Sequence, residues 1–157
     1  MGAVARRRDP RRKWAEHARG ELRRAGHRSG ATRAAVLDLI AEQDCCLTAQ
    51  EIFDRLRGDG RDVGMASVYR ALELLTRMGL LRRVELAEAA GYEPELPSGE
   101  HHHHVVCERC GRVSAFEDAQ LEEAIERLAG RLKYDVGAHD VVLRGACPAC
   151  RTPDSKR

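Results

Sequence analysis

Two Cys-x-x-Cys pairs, Cys107 with Cys110 and Cys147 with Cys150, constrain this chain more than any other feature. A two-residue spacer lets both sulfurs of a turn face one ion. Four thiolates fill a tetrahedral zinc site and leave no position for a substrate. The 36 residues between the pairs exceed the usual zinc-ribbon spacing, so a sheet must bring the second pair back beside the first. The pattern therefore predicts a structural Zn(II) that supports the fold. A chain of 157 residues with 43 % hydrophobic but only 4 % aromatic residues builds an aliphatic core, and such a core gains from a metal staple. No apolar run approaches the ~20 residues of a membrane span, and no apolar segment follows the basic N-terminus. The expected location is the cytoplasm, with no membrane partner. In that compartment paired cysteines signal metal or redox chemistry more often than disulfides.

Directly before the first pair stand His101, His102, His103 and His104. Neighbours on a strand point to opposite faces. On a strand, His102 and His104 share one face and His101 and His103 the other, so one strand could serve two metal sites. Other residues able to ligate are Cys46, Glu93, Glu95, Glu122 and His139, each of which alone has an ordinary structural explanation.

Along the chain, the pattern predicts helices over Thr32 to Gln43, from Thr48 to near Gly58, and over Ala66 to Met78. Val36, Leu37 and Ile40 recur at helical spacing in the first. Thr48-Ala49-Gln50-Glu51 is a capping box that opens the second. Val68, Leu72 and Leu75 form the inner stripe of the third. Strands are expected over Leu81 to Leu86 and Tyr92 to Leu96, around a turn ending at Gly91. Three helices and a β-hairpin make the order of a winged helix-turn-helix. Pro94, Pro97, Ser98 and Gly99 mark a boundary. Beyond it are expected strands over His103 to Val106, Arg112 to Phe116 and Val141 to Gly145. A helix capped by Asp118 lies between the last two, with Leu121, Ile125, Leu128 and Leu132 as its stripe. An apolar helix face and an exposed sheet suit a dimerisation unit.

The fold class is thus α+β: an N-terminal winged-helix domain over 21–96, a hinge at 97–100, a dimerisation and metal-binding domain over 101–152, and a tail at 153–157. Residues 1–20 are expected to be a disordered basic extension. The first 28 residues hold ten Lys or Arg against three acids, on a chain whose net charge is only +2. A basic arm on an acidic body suggests contact with a polyanion.

At these residues the chain resembles the ferric uptake regulator family of metal- and peroxide-responsive repressors. Val63-Gly64-Met65-Ala66-Ser67-Val68-Tyr69-Arg70-Ala71-Leu72 is similar to its recognition-helix pattern. Glu100 through Gly111 is similar to its metal-binding signature, and Cys147-Pro148-Ala149-Cys150 to its closing pair. The resemblance implies a homodimer that binds palindromic operator DNA, with Arg28, Ser67, Tyr69 and Arg70 at DNA-contacting positions. It also implies a sensing site joining the two domains, at Cys46, Glu95 (with Glu93 as rival), His102 and His104. A second, auxiliary site maps onto His101, His103, Glu122 and His139.

Two departures bear on the metal. The sensing ligand from the DNA-binding domain is often His in this family, and here it is Cys46, which favours zinc over harder ions. The acidic position that commonly follows the first Cys pair in iron and peroxide sensors is Ala115. The expectation is a zinc-responsive repressor, most similar to zinc uptake regulators, with regulatory Zn(II). Fe(II) or Mn(II) is the alternative, and a zinc buffer or metallochaperone the alternative class. An enzyme is not expected: there is no His-Glu-x-x-His motif, little chain to shape a pocket, and no small-molecule substrate to infer.

Overall fold

Trp14, the chain's only tryptophan, is 1 % exposed, and its indole N–H donates to the carbonyl of Leu80 at 2.7 Å. It belongs to a helix, α1 (Val4–Arg24), where a disordered extension was expected. The computed structural model describes residues 4–151 except Ser29, Ala87, Ser98 and Glu100, with side chains from Pro10 onward. Residues 1–3, parts of the expected hinge and all of the tail lie outside the described residues. The helix folds because Trp14, Ala15, Ala18 and Leu22 form a buried stripe at helical spacing. Arg11 is also buried and donates to the carbonyl of Asp44 at 3.2 Å, and Arg19 pairs with Asp38. Positive charge had concealed this apolar face.

The chain divides into two units, Met1–Glu100 and His101–Arg157. In the first, α1 is followed by α2 (Ala31–Glu42), β1 (Leu47–Thr48), α3 (Ala49–Gly58), α4 (Met65–Arg77), β2 (Leu81–Glu85) and β3 (Ala90–Pro94). Val36, Leu37, Ile40, Ile52, Leu72 and Leu75 form the centre of an aliphatic core. The capping box is present in both directions between Thr48 and Glu51. Gly79 adopts φ +67°, a left-handed conformation that lets the chain leave α4 and turn into β2. The sheet runs β1-β3-β2, all antiparallel, with Thr48 opposite Gly91 and Arg82 opposite Glu93. Gly91 therefore lies inside the central strand and not in the hairpin turn. The short strand β1 was not anticipated, because two residues carry no period.

The second unit holds β4 (His103–Cys107), β5 (Val113–Phe116), α5 (Ala119–Leu132) and β6 (Val142–Gly145). β4 is central, antiparallel to β5 and parallel to β6. The Asp118 carboxylate caps α5 by accepting the Leu121 amide at 2.9 Å. Leu121 and Ile125 are half-buried, whereas Leu128 and Leu132 face outward. Among the described residues, no helix is long and apolar enough to cross a membrane.

Candidate metal centres and DNA-facing helix

The parallel pairing of β4 with β6 solves the long separation of the cysteine pairs. Cys107 ends β4 and is registered with Gly145 at the end of β6, two residues before Cys147. Each pair forms a tight turn: the Gly111 amide donates to the Cys107 carbonyl at 2.8 Å, and the Cys150 amide to the Cys147 carbonyl at 2.9 Å. Gly111 takes φ +72°, which only glycine adopts freely. The four sulfurs lie within 4.8 Å of one another, and those of Cys110 and Cys147 are 3.8 Å apart. Zn–S bonds of about 2.3 Å in tetrahedral geometry place sulfurs ~3.8 Å apart. A disulfide needs about 2.0 Å. The residues fit an ion and not a bridge.

Electrostatics agree. The Cys147 amide donates to the Cys107 sulfur at 3.3 Å. That bond, with a second from the Cys110 amide, brings the Cys107 thiol down to about 6. Hydrogen bonds that the Cys150 thiol donates to Cys147 and Cys110, with burial, push Cys150 up to about 12. Converging thiols resist shedding their last protons, and a dication at their centre removes that resistance.

The four histidines divide by strand parity. His101 and His103 lie together with ring centroids 5.3 Å apart, and His102 and His104 lie together at 4.9 Å. His101 and His103 meet Glu122 from the first turn of α5 and His139 from the segment before β6. The Nε2 atoms of His101 and His139 are 3.2 Å apart. The Glu122 carboxylate is 3.5 Å from His101, 2.6 Å from His103 and 3.0 Å from His139. Ligands bonded at about 2.0–2.1 Å to a tetrahedral ion sit ~3.4 Å apart, so three imidazoles and a carboxylate fit zinc or a similar dication. The His103 hydrogen bond, with His139 and His101 nearby, holds the Glu122 carboxyl below its ordinary value.

His102 and His104 occupy the opposite parity of the strand, and His104 is buried. In the first unit Cys46 is buried just before β1, and continuing the β1–β3 register sets it opposite Glu93. Glu93 is 2 % exposed and accepts from the Arg82 guanidinium at 2.6 Å. Glu95 is exposed, beyond the end of β3. Hydrogen bonding to Cys45, burial, and the Glu93 and Glu51 carboxylates all push the Cys46 thiol up. A cation reverses that cost, so the donor chemistry here suits a thiophilic dication. Neither Cys45 nor the Arg82–Glu93 pair was singled out from sequence. The adjacent cysteines, and the alternating Glu93 on a strand, were the available signals.

On α4, Val68, Leu72 and Leu75 face the core, while Tyr69 is 53 % exposed. Arg70 is exposed as well and donates to the Ser67 hydroxyl at 3.0 Å. Arg28 is exposed in the segment between α1 and α2. A helix with an apolar inner stripe and Tyr and Arg outward has the chemistry for sugar, thymine methyl, phosphate or guanine contacts.

The geometry has close relatives. Residues 24–144 match the model of the ferric uptake regulator family. The chain is 34 % identical over 132 residues to the ferric uptake regulation protein of Legionella pneumophila, spanning 83 % of this chain and 96 % of that protein. It superposes on the ferric uptake regulator of Vibrio cholerae with a TM-score of 0.73 at 28 % identity, covering 82 % of this chain and 98 % of that one. The ferric uptake regulator of Francisella tularensis, solved with iron, gives 0.70 at 26 % identity, covering 81 % and 96 %. With its winged helix, its two-faced histidine strand and its four-cysteine cluster, this chain belongs to the ferric uptake regulator family of metal-dependent, non-enzymatic transcriptional regulators.

Proposed function

We propose that this chain is a zinc-responsive transcriptional repressor that binds palindromic operator DNA as a homodimer. The observation that carries the reading is the donor set. Cys46 offers a buried sulfur beside Glu93, and His102 and His104 offer two imidazoles that lie together. One sulfur, one carboxylate oxygen and two nitrogens suit tetrahedral Zn(II) better than octahedral Fe(II) or Mn(II). Burial beside Cys46 favours Glu93 over Glu95 as the carboxylate ligand.

Cys107, Cys110, Cys147 and Cys150 hold the structural zinc in this reading. His101, His103, Glu122 and His139 form the auxiliary site. Arg28, Ser67, Tyr69 and Arg70 contact DNA. The homodimer is supported by the outward apolar surface of Leu128, Leu132, Tyr134, Val136 and Leu143 in the second unit. Cys46 and Glu93 with His102 and His104 fix the angle of the DNA-binding domain, so that two recognition helices meet successive major grooves ~34 Å apart. Metal and DNA then raise one another's affinity, typically by ~1–3 kcal/mol.

An iron-responsive repressor is the second reading. It is favoured by the relatives, which carry the name of ferric uptake regulators. One experiment separates the two. Duplexes selected from a random library by the metal-loaded protein are titrated anaerobically at buffered free Zn(II), Fe(II) and Mn(II). Zinc is expected to activate binding at the lowest free concentration, and Cys46→Ser to abolish that preference. Tighter activation by iron, retained in Cys46→Ser, would overturn the zinc reading.

A further inference from the structure

The central strand of the first unit has a bare position where it passes Cys46. Gly91 lies between Thr48 of β1 and Val84 of β2, paired on both sides. Its φ is not in the left-handed region, so the backbone itself would accept any residue. Space is what excludes a side chain. A Cβ on Gly91 would lie 2.7 Å from the Cys46 sulfur, 3.0 Å from the Cys46 Cβ and 3.2 Å from Leu86 Cδ1. Glu93, two residues on, shares this sheet face by strand parity. β3 thus presents a gap and a carboxylate side by side, and the Cys46 thiol lies in the gap.

We infer that Gly91 is a positioning residue for the Cys46 thiolate, setting where that sulfur stands and therefore whether it ligates the regulatory ion. The inference rests on Cys46 being a ligand, as proposed above. Magnitude decides that the effect reaches the metal. An alanine at 91 must drive the sulfur from 2.7 Å to ordinary contact at 3.4 Å or more, a shift of ~0.7 Å. Metal–ligand distances tolerate only about 0.2 Å. β3 is held by hydrogen bonds on both edges, so the sulfur yields before the strand does.

The test is a cobalt(II) titration of the full chain that retains zinc in its four-cysteine site. A thiolate-to-cobalt charge-transfer band then reports Cys46, because His101, His103, Glu122 and His139 offer no sulfur. Wild type is expected to gain the band with one cobalt per chain, and Cys46→Ser to lack it. In Gly91→Ala the band is lost or its apparent affinity falls tenfold or more, with zinc content unchanged. The double variant Gly91→Ala/Cys46→Ala is expected to melt higher than Gly91→Ala, since removing the sulfur relieves the tightest of the three contacts. A wild-type band that persists unaltered in Gly91→Ala overturns the positioning role alone. Absence of the band in wild type overturns the Cys46 assignment and this inference with it. If Gly91→Ala is too unstable to titrate, recovery in the double variant supports the role and failure to recover refutes it.

Discussion

Replacing Trp14 with alanine tests whether the N-terminal segment is a structural helix or a charged arm. The indole is 1 % exposed. An aromatic side chain of this kind buries about 200 Å2, which at ~25 cal/mol per Å2 is an upper limit of about 5 kcal/mol. Measured truncations of buried Trp to Ala fall at about 3–5 kcal/mol. The lost hydrogen bond adds little beyond that, because the Leu80 carbonyl also accepts the Glu95 amide at 3.1 Å and is not orphaned. Trp14→Phe, which keeps most of the volume, should cost about 1–2 kcal/mol. Urea unfolding of the metal-loaded chain, followed by circular dichroism, measures both, since the substitution removes the only tryptophan fluorophore. Limited trypsin digestion gives an independent reading. Arg11, Arg12, Lys13 and Arg19 should resist cleavage in wild type and become susceptible in Trp14→Ala. A loss below 1 kcal/mol with unchanged digestion would show that α1 does not dock, and that composition alone had given the right answer.

Other perturbations separate the remaining parts. Cys147→Ser should lose one equivalent of zinc by elemental analysis and the circular-dichroism signal of the second unit, with α1 to β3 retained. The depressed Glu122 carboxyl gives the metal-free chain an acid limb. With a folded value below 4.5, its contribution is complete above 4.5 and lost as pH falls through that folded value, so Glu122→Gln should flatten thermal stability there. Leu128→Asp/Leu132→Asp should shift the chain from dimer to monomer in sedimentation velocity without changing its zinc content, because both side chains face outward.

The sequence carried most of the architecture because its strongest signals are periodic or chemical. Val36, Leu37 and Ile40, the Thr48–Glu51 box and the Leu121-Ile125-Leu128-Leu132 stripe each fix an element locally, and each element formed within one or two residues of its expected bounds. The histidine parity needs only extended backbone: β4 supplies it for His103 and His104, and His101 and His102 just before it keep the same alternation. The misses have physical reasons too. In α1, Trp14, Ala15, Ala18 and Leu22 form a helical face that is half alanine, which hydropathy barely registers among so many arginines. Glu93 and Glu95 stand two residues apart and share strand parity, so alternation alone left both open as the carboxylate. Gly91 read as a turn residue because glycine in a hairpin usually is one. Its steric role depends on Cys46, 45 positions earlier in sequence, and pairing across a sheet has no local signature.

The arrangement of β4 explains why the four-cysteine site and the histidines share one strand. His103 and His104 are adjacent, yet one must face Glu122 and the other must face away from it. A slip of one residue in β4 exchanges the two faces completely. Register in a short strand of five residues is weakly held by hydrogen bonds alone. Cys107 ends that strand, and its partner Cys147 follows β6, the strand paired beside it. Zinc bound by both pairs would lock β4 against β6 to within a metal–ligand tolerance, far finer than the ~3.3 Å of a register step. In the proposed reading, zinc at the four cysteines would therefore decide which histidines face the regulatory ion and which face Glu122, without touching either set.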